Sequence, residues 1–233
     1  LTRDGRAGYN SGMQESLATS TFHRLPIEKQ QRLLSVAKKA FADGGYAETS
    51  INDIAVTAGI SIGSLYKYFR SKEDLFLTII EEGRGVLEEV LGGIVDSDQP
   101  VLARIESLLR AAIEYSRKDP DFVRIYIDCT TQGLAPLAAR LSNRIESIAA
   151  EAYRKLIAAG QARGEIDPEL DPSVAAFCLD NLFLMLQYSF GCDYYRERLA
   201  LFAGTRLADD AEAMVKASAR FIANALGSGR QKG

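Results

Sequence analysis

Thr49 and Ser50, then Ser61, Ser64, Tyr66, Lys67 and Tyr68, then Lys72 crowd hydroxyl and ammonium groups into 24 positions of a 233-residue chain. Those groups are hydrogen-bond donors of the kind that grip phosphate oxygens, and a phosphate also favours the free amides at a helix start. The stretch "AGISIGSLYKYFRSKEDL" that holds most of them is too polar for a buried core and too aromatic for a flexible linker. Charge supports the same chemistry. The formal net charge is −3, yet residues 24–72 carry 8 Lys and Arg against 4 Asp and Glu, a net of +4, while residues 73–233 carry 18 against 25, a net of −7. A basic segment on an acidic body suits a nucleic-acid surface better than the overall charge suggests.

Helices must position these donors. From Pro26 the apolar residues Leu33, Leu34, Ala37, Ala40 and Phe41 recur at three- and four-residue spacing, and Gly44 to Tyr46 end that helix. Ser50 with Asp53 forms a capping box for a second, short helix whose inner face is Ile51, Ile54, Ala55 and Ala58. Gly59 stops it. Ser61 caps a third helix with Leu65 and Phe69 inward, and Ser71 with Asp74 starts a long fourth helix. Two short helices joined through "AVTAGIS" have the helix-turn-helix plan, although a purely structural helical hairpin would share the apolar positions. In the blander reading Tyr68 packs between helices, and Lys67 and Arg70 are merely solvated.

Beyond residue 100 the spacing predicts longer amphipathic helices over 101–118, 121–131, 136–163, 172–195 and 209–226, separated by proline or glycine. No alternating segment long enough for a strand is present, so the expected fold is all-α. The expected division is a flexible leader over 1–25, a helix-turn-helix domain over 26–72 and a larger helical domain over 73–228. Residues 1–12, ahead of Met13, are either an appended remnant or a true extension.

Composition narrows the function classes. The chain has 47% hydrophobic residues and one histidine, His23, which leaves little from which to build a His-rich metal site or a His-dependent triad. No HExxH, GxSxG, phosphate-loop or dinucleotide glycine motif occurs, so no catalytic residue, metal or cofactor is assigned. Cys129, Cys178 and Cys192 lack CxxC spacing and are expected to be small buried hydrophobes. The longest apolar run, "FLMLQYSF", is short of the roughly 20 residues that span a bilayer, and no secretory signal precedes the first helix. The expected setting is the cytoplasm, with no membrane partner.

The run "AETSINDIAVTAGISIGSLYKYFRSKEDLF" resembles the DNA-binding segment of the TetR family of transcriptional regulators, in the order and spacing of "TSINDIAVTAGIS", "GSLYKYF" and "SKEDL". The resemblance covers roughly residues 26–82. It implies a homodimer on a pseudo-palindromic double-stranded DNA operator, one third helix in each of two major-groove segments, released by a small-molecule effector. Carried over by position, Thr49, Tyr66, Tyr68 and Lys72 match phosphate contacts, while Ser61, Ile62, Gly63, Ser64 and Lys67 lie where family members approach base edges. Ser50 stands beside Thr49 at the second helix start. The family often has histidine where Tyr68 stands, and Ile62 and Gly63 bring no side-chain donor. Sequence preference then rests on Ser64, Lys67, thymine methyls or DNA shape.

The C-terminal helices carry many aromatics on their faces. Most are expected in the core, but bulky apolar walls with polar tips also suit a small-molecule cavity. The residues expected to line one are Phe122, Tyr126, Cys129, Tyr153, Phe183 and Gln187. The last two predicted helices show more apolar face than a chain end needs, and the resemblance implies a four-helix bundle across a dimer axis through Leu182, Leu186, Phe190, Val215, Ala219 and Ile222. Burial inside the monomer is the alternative. The segment 191–210 between them exceeds a tight connection and is expected to hold an extra short helix. A ligand-responsive repressor is the expected function. A helical protein-binding adaptor of the same fold, or an all-helical enzyme, are the other two readings.

Overall fold

Three serines start three successive helices: the hydroxyls of Ser50, Ser61 and Ser71 accept the amides of Asp53, Ser64 and Asp74. Each satisfies an amide that the first turn of a helix leaves without a partner. The computed structural model describes residues 17–131 and 145–227. In chain order the helices are α1 (Ser20–His23), α2 (Ile27–Glu48), α3 (Ile51–Ala58), α4 (Ile62–Tyr68), α5 (Lys72–Val95), α6 (Val101–Lys118), α7 (Pro120–Thr131), α8 (Ser147–Ala162), α9 (Pro172–Gly191), α10 (Asp193–Ala203), α11 (Thr205–Asp209) and α12 (Ala211–Ala225). Among the described residues the only extended pairing is an isolated antiparallel bridge between Ala18 and Phe69. The fold is all-α, as expected. Part of the predicted helix over 136–163 lies outside the described residues, as do 1–16 and residue 228.

Two apolar clusters hold the helices, and α5 runs through both. Its N-terminal half gives Leu75, Phe76, Ile79 and Ile80 to a cluster with Phe22, Phe41, Leu65 and Phe69, which also includes Val123, Ile125 and Cys129 of α7. Its C-terminal end gives Leu91 and Val95 to a second cluster built on α6, α8, α9 and α12. Burial of such side chains stabilises by about 2 kcal/mol each. The N-terminal helices are therefore not insulated from the C-terminal body: α2 packs along α7 as well as α5.

Several local features depart from expectation. Segment 17–25, expected to be loose, is packed. Ala18 and Phe22 are buried, the Phe22 and Phe69 rings lie 4.8 Å apart, and Thr19 donates its amide to the Tyr68 carbonyl at 2.9 Å and its hydroxyl to the Lys67 carbonyl at 2.7 Å. The predicted helix over 172–195 breaks at Cys192, whose backbone is extended, and segment 191–210 forms two helices, α10 and α11, instead of one. Of the cysteines only Cys129 is buried; Cys178 is exposed and Cys192 half-buried, because α9 turns its 177–178 side outward and ends just before 192. By length and composition α9 could cross a membrane, more than its apolar run suggests. In this fold Ala175, Ala176, Leu179, Phe183 and Leu186 of α9 pack into the second cluster.

Candidate nucleic-acid interface and effector cavity

Gly59 makes the turn between α3 and α4. Its φ of 72° lies in the left-handed region, and its amide reaches back to the carbonyls of Ala55 and Val56. Ile60 follows, half-buried, donating its amide to the Ala55 carbonyl at 3.0 Å. Leu65 and Phe69 anchor α4 at 1% exposure each, and the strap through Thr19 clamps its C-terminal end. The opposite side is left open. Ser61, Ile62, Gly63, Tyr66 and Lys67 are all exposed there, Tyr66 at 53%. A Cβ placed on Gly63 would meet only the Ser61 hydroxyl, at 4.0 Å, so this glycine leaves room for a partner's close approach.

The remaining donors of the expected surface are more committed. Ser64 is half-buried, and its hydroxyl lies 2.8 Å from that of Ser61. Ser50 spends its hydroxyl as the α3 cap. Tyr68 is half-buried with its ring 6.2 Å from Phe22, which combines the packing and surface readings. Lys72 donates to the Ala47 carbonyl at 2.9 Å and lies 4.8 Å above the Tyr46 ring; burial pulls its ammonium pKa down. Thr49 is a correction. It is 9% exposed and its hydroxyl donates to the carbonyls of Gly45 at 2.6 Å and Ala40 at 3.0 Å, so it pins the turn between α2 and α3 and has no free donor for a phosphate. A threonine at the end of a helix carries no local signal that separates these two uses.

In the C-terminal body a cavity of about 110 Å³ opens between α5, α6, α7, α8 and α9. Phe122, Tyr126, Tyr153, Phe183 and Gln187 line it; Cys129 is absent from the lining and belongs to the first apolar cluster. Sequence reasoning missed Gly83, Glu146 and Asp180. Gly83 admits Phe122: a Cβ there would fall 2.1 Å from the ring. Glu146 accepts the Tyr126 hydroxyl. Burial and that bond push the Tyr126 phenol well above its usual range, and burial pushes Tyr188 up to about 12. The Asp180 carboxyl is pushed up to about 6, chiefly by burial and further by the Glu146 charge.

One helix joins the cavity to α2, the helix that precedes α3 and α4. Phe122, Val123 and Tyr126 of α7 face the cavity. From the same helix Asp128 accepts the Tyr46 amide at 3.3 Å, and Arg124 lies 3.8 Å from Asp43 of α2. Asp119, at the head of α7, pairs with Lys38 of α2.

The expected dimer residues are mostly inside the monomer. Leu186, Val215, Ala219 and Ile222 are buried in the second cluster, and Phe190 is half-buried with the Arg117 guanidinium 4.9 Å from its ring. Leu182 alone of the six is exposed. It belongs to an apolar face of α9 with Val174, Phe177 and Met185, and Phe221 of α12 is exposed too. Helices α9 and α12 both pack on α6, and that packing decides which of their faces remain free.

Comparison with known proteins agrees with this geometry. Residues 33–79 match the sequence profile described as "Bacterial regulatory proteins, tetR family", a span that contains α3 and α4. The HTH-type transcriptional repressor KstR2 of Mycolicibacterium smegmatis is 30% identical over 154 residues, covering 63% of this chain and 71% of that protein. A TetR-family regulator from Chloroflexus aurantiacus superposes with a TM-score of 0.65 at 26% identity, over 89% of this chain and 97% of that one. The regulator FadR of Bacillus subtilis, solved in complex with stearoyl-CoA, has a TM-score of 0.63 at 16% identity, over 79% and 96%, which bears on the fold alone. With an open-faced helix-turn-helix, a matching profile and a relative aligned over most of its length, the chain belongs to the TetR family of DNA-binding transcriptional regulators.

Proposed function

We propose that the chain is an effector-responsive repressor, acting in the cytoplasm as a homodimer that leaves a pseudo-palindromic operator when a small molecule fills the cavity. The observation that carries this reading is the double engagement of α7, which lines the cavity with Phe122, Val123 and Tyr126 and holds α2 through Asp119, Arg124 and Asp128. A ligand that displaces those ring walls shifts α7, and with it the helix that carries the DNA-reading head. The ligand needs differential affinity for the two arrangements, and the coupling is reciprocal: DNA must weaken the ligand by the same factor.

In this reading Ser61, Ile62, Gly63, Ser64 and Lys67 face bases, Tyr66, Tyr68 and Lys72 flank the phosphates with Ser50 nearby, and Thr49 supports the turn. The exposed faces of α9 and α12, with Val174, Phe177, Leu182, Met185 and Phe221, supply the apolar surface that a second copy would cover. The unit for the DNA reading is 26–72 and that for effector and dimer 73–228, with α5 shared between them.

Selection of duplexes from a randomised pool by the purified chain, followed by mobility shift at about 0.15 M salt, tests it. The expected result is a two-fold-related motif bound by two chains, and release by compounds that raise the melting temperature. Failure to select any duplex would sink the repressor reading and favour a protein-binding adaptor.

A further inference from the structure

The cavity has a chemical sign. Among the described residues that line it, Glu146 and Asp180 are the charged ones, and no lysine, arginine or histidine is present. Glu146 comes just before α8 and already accepts the Tyr126 hydroxyl, whereas Asp180 projects from α9 with no hydrogen bond or ion pair to a described residue. Among the described residues, Arg117 of α6 lies against the Phe190 ring and Arg124 of α7 is turned toward Asp43 and Asp121. Six aromatic rings complete the walls: Tyr115, Phe122, Tyr126, Tyr153, Phe183 and Tyr188.

A half-buried carboxylate without a counter-ion is unfavourable in an apolar site, and a cation of suitable size is what relieves it. Aromatic faces add to this, because the ring quadrupole attracts a positive group, more strongly where water is excluded. An anionic head would instead meet two carboxylates and, among the described lining residues, no cationic side chain. We propose that the cavity takes a lipophilic cation, an organic ammonium whose positive group sits by Asp180 and Glu146 and whose hydrocarbon lies on the aromatic walls. This rests on the reading of the cavity as the effector site and assigns the ligand's class. It also separates this chain from the FadR relative, whose bound stearoyl-CoA is an anion.

Calorimetric titration of the full chain at neutral pH tests it with three probes: benzyltrimethylammonium, its uncharged carbon isostere neopentylbenzene, and hexanoate. The ammonium binds about tenfold more tightly than the isostere, the range of a desolvated cation over aromatic rings. Hexanoate binds weakest. Asp180→Asn removes the preference for the ammonium while its melting temperature is no lower than that of the parent chain, which excludes misfolding as the cause. Neopentylbenzene or hexanoate binding as tightly as the ammonium, or an unchanged preference in Asp180→Asn, overturns the cation class and leaves the cavity as an effector site. No binding by any of the three overturns both.

Discussion

Lys38 of α2 and Asp119 at the head of α7 meet at 2.5 Å, each about three-quarters shielded from solvent, and so tie the DNA-reading head to a wall of the cavity. Lys38 lies on the helix that precedes the reading head, and Asp119 three residues before the ring of Phe122, whose amide it accepts at 3.2 Å. The pair is one of three links between these helices, with Arg124 to Asp43 and Asp128 to the Tyr46 amide. A double-mutant cycle of Lys38→Met and Asp119→Asn, read by urea unfolding, should return a coupling of about 1 kcal/mol, the upper end for a pair that keeps some contact with water. A coupling indistinguishable from zero would remove this pair from the link.

Gly83→Ala should unsettle α7 from the other side. The new methyl carbon would lie 2.1 Å from the Phe122 ring tip, closer than packing permits, so the ring must move into the cavity or α5 must retreat. Overpacking of this kind destabilises by about 1–3 kcal/mol. Phe122→Leu should lessen the loss when combined with Gly83→Ala. Additive effects in the melting temperatures would refute the proposed clash.

Much of the reading head was legible because its signals are local. Ser50, Ser61 and Ser71 each cap the helix that follows, and Gly59 takes the left-handed turn, all within four residues of the groups they serve. The fate of Thr49 was not legible, since the Ala40 carbonyl that accepts its hydroxyl reaches it only through the break at Gly45, where φ is 70°. In the body, aromatic spacing pointed to Phe122, Tyr126, Tyr153 and Phe183, but Asp180 and Glu146 resemble solvated positions until the surrounding helices are in place. The exposed face of α9 was missed for a similar reason. Helix α9 is apolar on most sides, so periodicity could not say that Leu186 faces inward while Phe177, 68% exposed, faces out.

Gly63→Ala should move stability and DNA affinity in opposite directions. Within α4 the methyl meets no neighbour closer than the Ser61 hydroxyl at 4.0 Å, and alanine is the better helix former by about 0.5–1 kcal/mol. On the open face the same methyl stands between α4 and the bases. The expected outcome is a melting temperature at or above that of the parent chain with weaker binding to selected duplexes; equal or tighter binding would place Gly63 away from the DNA.

Thr49→Val and Lys67→Ala separate architecture from contact. Valine keeps the shape of Thr49 and its amide bond to the Gly45 carbonyl but removes the hydroxyl's bonds to the Ala40 and Gly45 carbonyls, a loss of about 1 kcal/mol in unfolding free energy. Since the hydroxyl is already used, the DNA affinity of the folded variant should not change. Lys67 is exposed, and its removal should leave stability alone while costing about 1–3 kcal/mol of discrimination at the base it faces. Weaker DNA binding by the folded Thr49→Val variant would restore it as a phosphate contact.

Asp180 should leave a signature in the pH dependence of stability. Its carboxyl is raised from the usual 3.8 to about 6 in the fold, so between those values the folded chain holds a proton that the unfolded chain has released. Stability from this group therefore falls as pH rises from about 4 to about 6, and the penalty is complete above that range. The neighbours facing it are Glu146, which adds to the upward shift, and the phenols of Tyr126, Tyr153 and Tyr188, which burial keeps protonated there. Asp180→Asn abolishes the titration. The variant should be more stable than the parent chain at pH 7–8, and the difference should shrink through pH 6 and vanish near 4, measured as the urea midpoint across pH. A difference that is constant with pH, or that grows toward acid, would show that Asp180 is not held in the apolar setting described.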